Sequence, residues 1–168
     1  MIHFTVPGNP VGMARPRVTI NGTYTPRATK EYQAAVKAAF ANQHKGKPTA
    51  KPLHVFLLAL FPIPKSYSKK KREAILSGKD YPAKKPDIDN ISKIILDSLN
   101  GLAYEDDKQV VQLAVKKRYT EAEIGQVTIM ILTTEEAKAI ANRDKQQSTA
   151  PVPNGTGPED PSAARISF

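Results

Sequence analysis

Apolar and polar positions along the chain fall into blocks of period two and period 3.6. His3 to Val6 reads as a short first strand, ended by Pro7-Gly8. Asn21-Gly22 stands between β-prone Arg15–Ile20 and Thr23–Pro26, which predicts a hairpin. Tyr32, Ala35, Val36, Ala39 and Phe40 fall at helical spacing and predict a helix over Thr29–Gln43, with Thr29 as cap and Glu31 in its first turn. Leu53 to Phe61 is a near-continuous apolar run flanked by prolines, the pattern of a buried central strand. Ser68 is placed to cap a short helix that runs to Ser77 and stops at Gly78. Ile91, Ile94, Ile95 and Leu99, with Leu96 and Leu102 beside them, mark the buried stripe of a further helix, stopped by Gly101 at its C′ position.

Two alternating blocks follow. Val111, Leu113 and Val115 place a strand over Val110–Tyr119, and Val127, Ile129 and Ile131 place a more apolar, internal strand over Gln126–Leu132. The turn Glu121–Gly125 between them predicts an antiparallel hairpin. A short helix is expected from Thr134 through Ala141, with Glu135 and Glu136 in its first turn. From Asp144 onward Pro, Gly, Ser and Thr dominate and the periodicity ends. The expected organisation is one domain over 1–143 and a disordered or loosely docked tail over 144–168.

Composition narrows the class of partner. The chain has 168 residues, with 25 Lys and Arg against 16 Asp and Glu, a formal net charge of +9. Such an excess suits a polyanion, most often nucleic acid. There is no cysteine, which removes disulfides, thiolate zinc sites and cysteine nucleophiles and fits a reducing cytoplasm. The start has neither a basic n-region nor a long apolar h-region, and the run Val55–Pro64 is too short to span a bilayer, so a cytoplasmic protein with no membrane partner is expected. The three histidines, His3, His44 and His54, show no ligand spacing.

The basic residues have a pattern. Arg15 and Arg17 are spaced to face the same side of a hairpin arm. Lys65, Lys69, Lys70, Lys71, Arg72, Lys79, Lys84 and Lys85 form a run leading into an acidic motif, with Tyr67 and Tyr81 able to stack on bases. We take Arg15, Arg17, Lys69, Lys70, Lys71, Arg72, Lys84 and Lys85 as the DNA-binding set.

The acidic motif is Lys84 to Val110, KKPDIDNISKIILDSLNGLAYEDDKQV. Pro86 biases Lys85 toward extended geometry. If the extended chain continues, Asp87 and Asp89 share a side and Ile88 faces the core. Asp89 or Asn90 then caps the helix, whose polar face carries Asn90, Lys93, Asp97 and Asn100. Lys93 lies one turn from Asp89, and Asp97 one turn further on is placed to orient its ammonium. The loop Leu102–Glu105 delivers Asp106 and Asp107 to the start of the next strand. Either Asp-x-Asp or Asp-Asp alone serves ordinary turn and cap chemistry. Together with Lys93 in a basic chain, they read as carboxylates whose mutual repulsion a divalent cation relieves. All-oxygen donors favour Mg²⁺ or Mn²⁺ over Zn²⁺. Spacing alone does not choose between Asp106 and Asp107.

That string resembles the RusA-type Holliday junction resolvases, common in phages and prophages. PGNPVGMARPR near the N-terminus and TPRATKEY are similar to the family as well, and the likeness covers about Ile2 to Leu132. The resemblance implies an α/β fold, a small mixed sheet packed by helices, in a homodimeric Mg²⁺-dependent endonuclease, phage-encoded or bacterial. It implies paired symmetric nicks in four-way DNA during recombination and repair. It implies Asp87, Asp89 and Asp107 as metal ligands, with Asp106 the neighbour, and Lys93 as the catalytic lysine. The lysine-rich segment Lys65–Lys85 is longer than the lead-in of the family's compact members. The rival readings are a DNA-binding module without catalysis and a nuclease acting on forks or flaps.

Overall fold

The computed structural model describes residues 1–20 and 22–148, with side chains through residue 143. The elements in order are β1 (Ile2–Pro7), β2 (Arg17–Thr19), β3 (Gly22–Tyr24), α1 (Arg27–Gln43), β4 (Leu53–Pro62), α2 (Lys69–Leu76), α3 (Ile88–Leu99), β5 (Val110–Thr120), β6 (Gln126–Thr133) and α4 (Thr134–Ser148). The fold is mixed α/β, as expected: a four-stranded sheet ordered β1-β6-β4-β5, and the small β2-β3 hairpin.

The sheet order follows from the burial each strand needs. β4 alternates fully buried and half-buried positions along all its length, so it lies inside the sheet. It pairs parallel with β5, Val55 opposite Leu113 and Leu57 opposite Val115, and antiparallel with β6, Val55 opposite Ile131. This corrects the expected β5–β6 hairpin. β5 and β6 are joined by a short turn, but β4 lies between them. The exposed Val111 and Leu113 suit β5 to the edge, whereas Val127, Ile129 and Ile131 of β6 are buried between β1 and β4. The β4–β5 pair is parallel, so the chain between them must cross over the sheet, and α2 and α3 supply that crossing.

α1 packs on α3 and β1, and α3 packs on β5. The core between helices and sheet joins Phe4, Val36, Phe40, Leu57, Ile91, Ile94, Ile95, Leu99 and Tyr104, among others. Phe4 meets Phe40 edge-on at 5.6 Å between ring centroids. Both expected stripes are therefore core, α1 through Tyr32, Val36 and Phe40 and α3 through its isoleucines and Leu99.

Two boundaries differ from expectation. α1 begins at Arg27, because the Pro26 carbonyl accepts from the Thr29 and Lys30 amides. Thr29 is buried inside the helix instead of capping it, and Glu31 pairs with Arg27 one turn back at 2.6 Å. α4 continues past Ala141 to Ser148. Ser68 caps α2 as expected, accepting from the Lys71 amide. α4 takes in residues 144–148 of the expected tail, a correction; Asn21, expected in the hairpin turn, and the tail beyond Ser148 lie outside the described residues. Among the described residues no helix is long and apolar enough to cross a membrane.

Candidate active site

α3 is the scaffold of the acidic motif. Its N-cap is Asp87, in extended geometry, which corrects the expected cap at Asp89 or Asn90: the helix starts two or three residues earlier. Ile88 is consequently the first helical residue and 47% exposed, not directed into the core. Asp89 lies in the first turn, where a carboxylate complements the helix dipole. Ile91, Ile94, Ile95 and Leu99 are completely buried, and this fixes the rotation of the helix about its axis. The opposite face then carries Asp89, Lys93 and Asp97 at successive turns. The Lys93 ammonium stands 3.5 Å from the Asp97 carboxylate, the expected pairing.

That face lines a cleft of about 480 Å³ together with Ile88, Ser92, Leu96, Asp107, Leu113 and Val115. Asp89, Lys93, Asp97 and Asp107 thus share one cleft, the first three from α3 and Asp107 from the segment leading into β5. A second cleft of about 790 Å³ is lined by Tyr81–Lys85, Asp87, Ile88 and Val115–Arg118. Ile88 and Val115 line both, so the two are contiguous. Asp87 faces the second cleft and Asp89 the first. They therefore flank the start of α3 instead of projecting from one side of a strand.

The two acids after α3 have different surroundings. Asp106 caps a short 3₁₀ turn over Asp107–Gln109: its carboxylate accepts from the Lys108 amide at 2.9 Å, and the Gln109 side chain accepts from the Asp106 amide at 2.9 Å. The Lys108 amide holds the Asp106 pKa below the usual carboxylate range, with the Lys108 ammonium assisting. Asp107 lines the first cleft and Asp106 does not. The loop before them is anchored by Tyr104, which is fully buried and donates its hydroxyl to the Leu96 carbonyl at 2.9 Å. Burial, reinforced by Asp107 and Asp97, pushes the Tyr104 phenol pKa up, so it remains a neutral donor.

The donor chemistry fits a hard divalent cation: carboxylate oxygens, no thiolate, and no histidine in either cleft. The fit is one of donor type, since among the described residues no three acidic or histidine side chains stand close enough to enclose an ion.

The expected DNA-binding residues divide. Lys84 and Lys85 line the second cleft. Lys69, Lys70, Lys71 and Arg72 lie on α2 and line neither cleft; Lys71 sits 4.2 Å above the Tyr67 ring and 3.9 Å from Asp80. Tyr67 is half-buried against Tyr119, with centroids 6.3 Å apart, so its ring is engaged within the protein. Arg15 and Arg17 are exposed on and before the β2 arm, away from both clefts. The pattern missed Lys116, Lys117 and Arg118, which bring three further cations to the second cleft. Their signal was present: three consecutive basic residues interrupt a strand that otherwise alternates. The Arg118 guanidinium lies 4.7 Å above the Tyr81 ring, a cation–π stack at the cleft wall.

Comparison with known proteins decides the family. The family model for Endodeoxyribonuclease RusA matches residues 7–132. The chain belongs to the RusA endodeoxyribonuclease family. The matched span runs from the end of β1 to the end of β6 and contains both clefts. The chain is also similar to the uncharacterized protein YqaN of Bacillus subtilis (strain 168), 42% identical over 126 residues, which covers 71% of this chain and 89% of that one. Membership of this RusA family makes nuclease chemistry on DNA the activity class of the chain.

Proposed function

We propose that the chain is a divalent-metal-dependent endonuclease that resolves four-way DNA junctions as a homodimer, by paired symmetric nicks. The observation that carries this reading is the joining of an acidic cleft, Asp89 with Asp97 and Asp107, to a strongly basic one, Lys84, Lys85, Lys116 and Arg118, at the N-terminus of α3. An acid site able to act on a phosphodiester thereby adjoins a surface able to hold the phosphates beside it.

Asp87, Asp89 and Asp107 are the residues that would hold Mg²⁺ or Mn²⁺. When bound, such an ion supplies Lewis-acid stabilisation of charge on the phosphate and the departing 3′-oxygen, and acidifies water. Lys93, held by Asp97, presents its ammonium to the same cleft and adds positive charge where the transition state is most negative. The second cleft orients the strand through its cations, with Tyr81 and Arg118 offering a flat face to a base or sugar. A four-way junction has approximate two-fold symmetry, so two copies of the chain related by a two-fold axis nick opposed strands.

The test compares Mg²⁺-dependent cleavage of four-way, forked and linear duplex DNA, with cuts mapped on every strand. Symmetric paired cuts on the four-way substrate alone are expected. Asp87→Asn, Asp89→Asn and Asp107→Asn should each lower cleavage by roughly 10²-fold or more, and Lys93→Ala by a comparable factor, while junction binding survives. Unchanged cutting by all three aspartate variants would sink the reading. Single asymmetric cuts on forks would replace it with a fork or flap nuclease, and binding without nicking would replace it with a DNA-binding module.

A further inference from the structure

We propose that Lys117 is a positioning residue for the acid site, tying the backbone that leads into Asp87 down onto β5. The inference rests on the reading above, that Asp87 and Asp89 act in cleavage.

Lys117 lies in a row of three cations, yet it does not share the situation of its neighbours. Arg118 is exposed and stacks on Tyr81. Lys117 is half-buried, opposite Ala59 in the β4–β5 register. Its ammonium lies over the Phe61 ring, 5.3 Å from the centroid. From there it donates to the Pro86 carbonyl at 2.9 Å and to the Lys84 carbonyl. These two carbonyls flank Lys85 and immediately precede Asp87, the N-cap of α3. A single ammonium thus fastens the last turn of chain before the acids to the strand that forms the other wall of both clefts.

The need for such a tether follows from local structure. The Lys84–Pro86 backbone belongs to no helix or strand. Asp87 makes no side-chain capping hydrogen bond that would fix its carboxylate. Its direction therefore depends on how the preceding backbone is held. A charge-assisted bond to each of two carbonyls one residue apart supplies that hold. Groups that orient ligands without touching the ion are commonly worth about 10–100-fold in metal affinity or activity.

The competing role is that of a phosphate contact, like the one assigned to Arg118, and the two make opposite predictions. Lys117→Met keeps most of the unbranched side chain but removes the ammonium and with it both donated bonds. The positioning role predicts junction binding without metal within about two-fold of wild type, with an unchanged salt slope. It predicts single-turnover cleavage at saturating protein reduced by about 10–100-fold, and Mn²⁺ binding to the free protein, followed by calorimetry, weakened by a similar factor. Amide exchange should quicken at Ile91, whose N–H bonds the Asp87 carbonyl at 3.0 Å. Lys117→Arg, which keeps two donors, should recover part of the cleavage rate and of the Mn²⁺ affinity. Should Lys117→Met fail to fold, Lys117→Leu carries the same comparison.

Loss of junction affinity with a shallower salt slope and an intact saturating rate would make Lys117 a phosphate ligand and overturn the proposal. So would wild-type cleavage together with wild-type Mn²⁺ affinity. Asp89→Asn serves as the control that separates the two inferences. If it cleaves like wild type, the site assignment itself has failed; if it is inactive while Lys117→Met is not, only the tether has.

Discussion

The two ends of α3 deliver acids to neighbouring clefts but are held in different ways. At the C-terminal end the chain is bound by regular backbone bonding and a buried side chain. Gly101, with φ of +71°, donates to the Tyr104 carbonyl at 2.8 Å, and Thr49 bonds the same loop from the far side. Gln109 reaches the carbonyls of Thr49 and Lys51 at 2.8 and 3.0 Å, and Tyr104 is locked under Leu96. At the N-terminal end the hold comes from single residues. Lys117 grips the lead-in from β5, and the Met13 amide donates to the Asn90 carbonyl at 2.8 Å from the opposite side. Asp107 therefore has a seat made by several bonds to the Thr49–Lys51 segment and by a buried tyrosine, whereas Asp87 and Asp89 owe theirs to single residues of two segments, Met13 and Lys117, closing on one turn. The N-terminal end should be the more easily disturbed.

The largest expected effect comes from the residue that lets the N-terminal segment close. A Cβ on Gly12 would stand 2.8 Å from the Pro86 Cβ and 2.9 Å from the Asn90 Cβ. Neither neighbour is the far end of a flexible side chain, so the backbone must move. Gly12→Ala is expected to destabilise the fold by about 1–3 kcal/mol, the usual range for overpacking. Because the displaced atoms flank Asp87 and Asp89, cleavage should fall by about ten-fold or more under conditions where the variant is fully folded. Thermal unfolding and single-turnover cleavage, measured side by side, check both parts. Wild-type cleavage in Gly12→Ala would show that this end tolerates movement and would erase the contrast between the two ends.

That contrast also marks what the sequence could show. The stripe Ile91, Ile94, Ile95 and Leu99 is local and periodic, so the helix, its buried face and its stop at Gly101 were legible. The adjacency of Asp89, Lys93 and Asp97 followed from helix geometry alone. Strand order was not legible, because Glu121–Gly125 makes a good turn whether or not the strands it joins pair; β4 takes the place between them by burying more apolar surface. The start of α3 falls two or three residues before the expected cap, since a proline marks the end of extended chain without saying which residue caps. Lys117 and Gly12 lie 30 and 75 positions from Asp87, and only the folded chain shows that they meet its surroundings. Asp107 rather than Asp106 was implied by family resemblance, and the capping role of Asp106 now supplies a local reason that supports it.

A smaller effect is expected at the other end. Tyr104→Phe keeps the ring and removes only the bond to the Leu96 carbonyl. The loss should be about 1 kcal/mol, and the melting temperature should fall by about 2–4 °C. With the remaining bonds between Thr49, Gln109 and the loop intact, cleavage should change by less than about three-fold. The gap in stability has a pH signature. The folded Tyr104 pKa is raised, so above about pH 10, where an unfolded tyrosine ionises, the wild type loses stability that the phenylalanine variant keeps. The difference in stability should narrow from pH 10 upward. A large fall in cleavage with an unchanged melting temperature would mean that the hydroxyl acts in the cleft itself.

The smallest effect sharpens the choice between adjacent carboxylates. Asp106→Ala removes the cap of the 3₁₀ turn and the bond from Lys108, but leaves Asp107 lining the cleft. The melting temperature should drop by no more than a few degrees at neutral pH. Because the folded Asp106 pKa is lowered, its contribution is complete above the unfolded value of about 4 and disappears as pH falls through the folded value. Wild type and variant should therefore converge in stability on acidification. Cleavage should stay within about two-fold of wild type, in contrast to the loss expected for Asp107→Asn. The reverse outcome, an inactive Asp106→Ala beside an active Asp107→Asn, would move the third acid one residue back. It would also require the 3₁₀ turn to open, because the Asp106 carboxylate cannot cap Lys108 and serve the cleft in the same geometry.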